Sequence, residues 1–429
     1  MARDGVHVIG FAAAEPAAVW AVARDFCGAW HPGIATITEE RGPRGAVIRR
    51  FTALGEETVY REQLTYLSDT DRTLAYTHLE GIKGASRYGA RLTVSAREGG
   101  GSVISWTAAI EAPGPRAAQI AAGTKPIFEA GIAALAAHAD QVPAPQSPAP
   151  IAPAPTQTLI LEGTPRLALT VTPAQGDTLV LFLHGIGGGR TNWTAQLQSV
   201  GGRARAASLD LRGYGESSLG FQQSTAEDYC DDILRVVEAL GAAKLVLVGL
   251  SYGSWIATSF AIRYPEKLAG LVLSGGCTGM SEAGPEEREA FRVSREVPLN
   301  AGQVPADFAP AVVKVIAGPD APEPVRAALL ASMAAIPAAT YRDALLCFTN
   351  PLERFDFAKL TMPVLMMTGQ HDRLAPPAEI RGVAGRIVDA APLADVRFEV
   401  IAQAGHVCNV ENPDGYTAAL TAFLQRIAR

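Results

Sequence analysis

The sequence predicts two folded parts of different class. An α+β part over residues 1–140 is followed by an α/β part with a mostly parallel sheet and a helical cap over 157–429. Three observations carry this. The hydrophobic pattern runs at period two in the first part, as in strands with one buried face. In the second it changes to continuous apolar strands alternating with helices, as in strands buried on both faces. Between them lies "QVPAPQSPAPIAPAPT", residues 141–156, whose prolines lack an N–H and restrain their predecessors, so it reads as an extended linker.

In the first part "EPAAVWAVARDF" reads as an early helix. The segments "VIRRFTAL", "TVYREQLTYL", "RTLAYTHL", "SRYGARLTVSA" and "SVISWTAAIEA" read as successive strands, separated by turns such as "REGGGS". A long Ala-rich helix is expected from about Pro115 to Asp140. In the second part "LVLFL", "ARAASLDL", "LVLVGL", "GLVLS" and "PVLMMTG" read as buried strands. One intervening helix is announced by a Ser224/Glu227 capping box and by a stripe of Tyr229, Ile233, Val236, Val237 and Leu240. The stretch from about Cys277 to Lys359 interrupts the alternation with helical runs, as an inserted cap would.

The chemistry gathers around "GLSYGS". A serine hydroxyl is a weak nucleophile until a base takes its proton, and that base needs an orienting acid. Ser251 ends an apolar strand and opens a helical stretch, with Gly249 and Gly253 supplying the small residues that a tight strand-to-helix turn demands. G-x-S-x-G alone also fits a small polar residue in a turn; the strand and helix around it favour the nucleophile. His406, in "AQAGHV" after the last strand-like run "VRFEVI", is the favoured base. Asp372, in "TGQHD" just after a buried strand, is the favoured acid, with Asp356 and Asp395 as alternatives, and the adjacent His371 is expected to face solvent. The Gly-rich "LHGIGGG" ends another buried strand. Its Ile186 N–H and the Tyr252 N–H are the expected oxyanion donors, with His184 and Gly185 shaping the turn. That loop lacks G-x-G-x-x-G spacing and a P-loop lysine, which leaves little support for a nucleotide.

With these motifs in order ("LHGIGG", "DLRGYGES", "GLSYGS", "TGQHD" and "AGH"), residues 157–429 resemble the α/β-hydrolase fold superfamily. The resemblance maps that superfamily's Ser…Asp…His order onto Ser251, Asp372 and His406, and gives Asp210 and Arg212 a structural place. It implies a serine esterase or lactonase, with C–C bond hydrolases and cofactor-free perhydrolases of haloperoxidase type as rivals. A serine at 251 speaks against the aspartate-nucleophile dehalogenases and epoxide hydrolases. Through "PAAVWAVARDFCGAWHPGI", "YREQL", "SRYGARLTV" and "VISWTAAIEA", residues 5–140 resemble the SRPBCC superfamily of polyketide-cyclase-like and lipid-transfer-like domains, in a helix-grip fold that holds an apolar ligand. Trp30, His31 and Trp106 are candidates for lining that cavity, with core packing as the competing role.

Composition narrows the rest. A net charge of −6 gives no support to nucleic-acid binding. Five cysteines, an odd number without a C-x-x-C pair, fit reduced thiols and neither a disulfide framework nor a zinc site. No run approaches the roughly 18 apolar residues of a membrane span, and the first residues lack signal-peptide organisation. The expectation is a cytoplasmic serine hydrolase acting on a hydrophobic or aromatic ester or lactone, without metal or organic cofactor, membrane or nucleic acid. Self-association is left open, and a non-catalytic ligand-binding or scaffold protein is the reading from another class.

Overall fold

The computed structural model describes residues 1–139, 153–173, 176–350, 354–391, 393 and 395–427. Most of the linker expected at 141–156 lies outside the described residues. The chain divides into two compact units, Met1–Ala149 with Ile387–Glu399, and Pro150–Arg386 with Val400–Arg429.

In the first unit the strands are β1 (Ala2–Ala12), β2 (Ile34–Arg41), β3 (Val47–Ala53), β4 (Val59–Ser68), β5 (Thr73–Glu80), β6 (Arg87–Ala96) and β7 (Ser102–Ala112). They form an antiparallel sheet in the order β1-β7-β6-β5-β4-β3-β2. Along β7 burial alternates strictly, so Ile104, Trp106, Ala108 and Ile110 share the inner face. A short helix α1 (Pro16–Ala23) and the long α2 (Arg116–Ala139) complete the unit. Helix α2 is long and apolar enough by length and composition to cross a membrane, a feature the sequence reading did not anticipate. Its Ile120, Phe128, Ile132 and Leu135 are buried in the core with Trp20, Trp30 and Trp106. Strands β1 and β2 were not foreseen either. The reason is physical: β1 buries only Val6, Val8 and Ala12, and no β2 residue is fully buried, so neither shows a strong apolar alternation.

The second unit begins with a hairpin, β8 (Gln157–Leu161) and β9 (Leu167–Val171). It continues with β10 (Thr178–Leu183), α3 (Thr194–Gly201), β11 (Arg205–Leu209), α4 (Ala226–Ala239), β12 (Lys244–Leu250), α5 (Tyr252–Arg263) and β13 (Leu268–Ser274). Four cap helices follow: α6 (Pro285–Asn300), α7 (Pro305–Ile316), α8 (Glu323–Ala334) and α9 (Ala338–Thr349). The chain then forms β14 (Val364–Gly369), α10 (Pro377–Ala390), β15 (Val396–Ile401), α11 (Cys408–Glu411) and α12 (Pro413–Ile427). The sheet order β14-β13-β12-β10-β11-β9-β8 is parallel from β14 to β11 and antiparallel at β9 and β8.

Strand β12 lies inside this sheet between β13 and β10, and Leu245 to Val248 are fully buried. Each such side chain contributes roughly 1.5–3 kcal/mol by leaving water, which makes β12 a rigid base for the turn at its C-terminal end. Helix α4 starts one residue later than the sequence implies. Thr225 and Asp228 form its capping box, while Ser224 N donates to Asp343 Oδ1 in α9 at 2.9 Å. Its fully buried stripe is Tyr229, Cys230, Ile233 and Val236; Val237 and Leu240 are half-buried.

Candidate active site

Ser251 occupies the single residue between β12 and α5, with φ 54° and ψ −115°. A non-glycine residue there is strained by about 1–3 kcal/mol. Neighbours over-determine the turn: Ser251 N donates to Ser274 O at 2.7 Å, and Ser251 O accepts from Ser254 N at 2.8 Å and Trp255 N at 3.0 Å. A Cβ at Gly249 would strike the Gly253 backbone, and one at Gly253 would strike the Leu183 carbonyl. Strand and helix therefore meet backbone to backbone, and only glycine fits at either place.

His406 follows β15 in a tightly held loop. Its N–H donates to Ile316 O at the end of α7, at 2.7 Å. Glu411 Oε2 accepts from Gly405 N at 3.0 Å and from Gly318 N at 2.7 Å, so one carboxylate joins the histidine loop to the cap. His406 Nδ1 lies 2.9 Å from Asp372 Oδ2. Asp372 is buried, and its Oδ1 accepts from Leu374 N at 2.8 Å and Ala375 N at 2.9 Å. Burial alone would raise this carboxyl, but the His406 hydrogen bond and charge, with the two amides, hold it below the ordinary carboxylate value. A carboxylate on Nδ1 fixes the imidazole with Nε2 as its free nitrogen, and Nε2 has no protein partner among the described residues.

Ser251 and His406 line the same cavity of about 310 Å³, together with Ile186 and Tyr252. The Ile186 and Tyr252 N–H groups make no hydrogen bond among the described residues; that of Tyr252, at the first turn of α5, has no intrahelical partner by geometry. Gly185 places its α-carbon against Ser251, since a Cβ there would sit 3.9 Å from Ser251 Oγ. His184 is fully buried. Its Nε2 accepts from Leu211 N at 3.0 Å and its Nδ1 donates to Gly185 O at 2.8 Å. Burial lowers its pKa, so it is a neutral turn support. Asp210 binds the Arg190 backbone N–H at 2.8 Å and its guanidinium, while Arg212 Nε pairs with Asp232 at 2.8 Å; both are structural in their contacts. Of the alternative acids, Asp356 caps Ala358 N and Asp395 pairs with Arg397. His371 is half-buried.

The first unit's candidates are placed differently. Trp30 donates to Asp25 O at 3.1 Å, and Trp106 donates to Tyr76 Oη at 3.2 Å and stacks on Phe128 with ring centres 4.3 Å apart. His31 Nε2 lies 3.0 Å from Ile127 O, and its Nδ1 accepts from Gly33 N at 3.0 Å. All three pack in the core with their polar atoms bonded, which is the competing role named for them.

The sequence reading missed the cap's contribution to the cavity: Phe291, Arg295, Met333, Tyr341 and Phe348. They are spread over three helices whose facing is fixed only by packing. Among the described residues no cluster of His, Cys, Asp or Glu is arranged to hold a metal.

The family model described as "Alpha/beta hydrolase family" matches residues 180–419. The chain belongs to this family. A second model, "Polyketide cyclase / dehydrase and lipid transport", matches residues 8–140. A Caulobacter vibrioides protein, provisionally named as the carbamate hydrolase RutD, is 29% identical over 59% of this chain and 92% of its own length. The Escherichia coli 2-hydroxy-6-oxononadienedioate/2-hydroxy-6-oxononatrienedioate hydrolase is 28% identical over 59% of this chain and 88% of its own. A thermophilic esterase from Thermogutta terrifontis superposes with a TM-score of 0.56 at 27% identity, over 64% of this chain and all of that one. These relatives of the alpha/beta hydrolase indicate that the chain is a hydrolase.

Proposed function

We propose that the protein is a serine hydrolase that cleaves a hydrophobic or aromatic carboxylic ester or lactone. Ser251 Oγ attacks the carbonyl carbon while His406 Nε2 takes its proton, and Asp372 holds the imidazole and offsets its charge. The Ile186 and Tyr252 amides bind the tetrahedral oxyanion. The carbon–oxygen bond to the leaving alkoxide breaks as His406 returns the proton, and water then cleaves the acyl-enzyme by the same steps. The observation that supports this most is the strained Ser251 turn opening on a mostly apolar cavity that His406 also lines, with Asp372 bonded behind it. Strain at one non-glycine residue that tight glycine contacts maintain is what a presented nucleophile requires.

Fluorophosphonate labelling tests the nucleophile. The wild-type chain is expected to take up one label that Ser251→Ala abolishes; no adduct, or one that survives the substitution, would sink the reading. A panel of p-nitrophenyl esters, lactones and dienones then separates the chemistries. C–C bond cleavage is the second reading, favoured by the likeness to the E. coli hydrolase. It gains if dienones turn over and esters do not.

A further inference from the structure

The cavity wall is mainly aliphatic and aromatic, yet one guanidinium lies in it. Arg295, on α6, is half-buried, and among the described residues no carboxylate pairs with it. Its Nη1 donates to Phe291 O at 3.1 Å and Ser294 Oγ at 2.9 Å. The guanidinium lies over the Phe291 ring, 3.4 Å from its centre, and Tyr341 lines the same cavity. A guanidinium has five donors in a planar fork, so these neutral contacts leave both its charge and part of its fork unmatched. Burial lowers its pKa, the mark of a cation that lacks a compensating anion.

The aromatic wall connects this group to the reaction centre. Tyr252, next to the candidate nucleophile, packs edge-on against Phe348 at 5.6 Å, and Phe348 packs against Phe291 at 6.0 Å. Among the described lining residues the other formal charge is Glu379, in the first turn of α10. Partial burial and the nearby Asp372 and Glu282 push its carboxyl up. The α10 wall, with Asp372 behind it, therefore disfavours an anion, while the α6–α9 wall offers an unmatched cation.

Resting on the serine-hydrolase reading and going beyond it, we propose that Arg295 is a specificity-determining residue, and that the substrate is an ester or lactone whose chain ends in a carboxylate. The reacting carbonyl sits at Ser251, the apolar chain runs along Phe348 and Phe291, and the carboxylate meets the Arg295 fork. An aliphatic or aromatic ester without that anion would cover the half-buried guanidinium further and leave it unpaired, which is costly.

The test compares the full-length enzyme on two substrates of nearly equal shape: mono-p-nitrophenyl glutarate, with a free carboxylate, and its methyl-capped diester. A charge-assisted bond contributes about 1.5–3 kcal/mol, so kcat/KM for the free acid is expected to exceed that for the capped ester by roughly ten- to hundredfold. In Arg295→Met that ratio should fall to about one, chiefly through KM, while Arg295→Lys should keep it above one because the charge remains. A wild-type ratio at or below one overturns the proposal, whether or not Arg295→Met folds. So does an Arg295→Met ratio equal to that of wild type. Fluorophosphonate labelling in the same preparations separates the two failures: labelled Ser251 with no preference for the anion removes only the Arg295 inference, and absence of labelling removes the serine-hydrolase reading itself.

Discussion

His31 and His406 look alike by burial, at 8% and 7% exposed, and each lies in a loop in its own unit. Their hydrogen bonds separate them. His31 uses both ring nitrogens on backbone groups, Ile127 O and Gly33 N, so it has none left for chemistry. His406 uses one on a buried carboxylate and turns the rest of its ring to a cavity. A histidine becomes available as a base through the partner it lacks, and burial by itself says nothing about that.

The strongest way to break this contrast is through the second unit's candidate triad. Ser251→Ala and His406→Ala are each expected to lower kcat on a p-nitrophenyl ester by about 10⁴–10⁶-fold, and Asp372→Asn by about 10⁴-fold. Initial rates decide it, and retention of a tenth of wild-type activity by Ser251→Ala would end the nucleophile assignment. Substituting the other histidine should act on folding. His31→Ala strands the Gly33 N–H and removes the ring's bond to the Ile127 carbonyl, so urea unfolding should show a loss of about 1–3 kcal/mol, with fluorophosphonate labelling of Ser251 retained.

Acid sharpens the same comparison. Asp372 has its carboxyl held below the ordinary range in the folded protein. Its contribution to stability is therefore present above the unfolded value and is lost as pH falls through the folded one. The urea midpoint of the wild type should drop between neutral and strongly acidic pH by more than that of Asp372→Asn; equal drops would contradict it. The smallest effect concerns Cys277, which lines the cavity but whose thiol is pushed by burial up to about 12. Only a trace of thiolate exists at neutral pH, so iodoacetamide should alkylate it far more slowly in native protein than in urea, as peptide mapping would show.

Much of the fold was legible because its signals are local. The continuous apolar runs of β10, β12, β13 and β14 stand out without any tertiary context, since strands buried on both faces need no polar alternation. The edges were hard to read for the converse reason. β2 and β8 have no fully buried residue, so little in their sequences marks them as strands. At α4 the sequence pointed to Ser224 as the cap, and a contact from Asp343, more than a hundred positions away, takes up the Ser224 backbone and leaves Thr225 as the cap.

The candidate site divides along the same line. Ser251, Asp372 and His406 were nameable because a nucleophile turn and the loops after two strands carry short local patterns. The sequence determined those residue types and their order, and with them the class of chemistry worth testing. Tertiary structure alone decided which partners each polar atom received. It placed Asp372 on His406 across 34 positions, tied the histidine loop to the cap through Glu411, and left Arg295 facing an apolar cavity without a counter-ion among the described residues. Hydrogen bonds and ion pairs at that sequence separation depend on distances of a few tenths of an ångström, which only the packing of whole elements fixes.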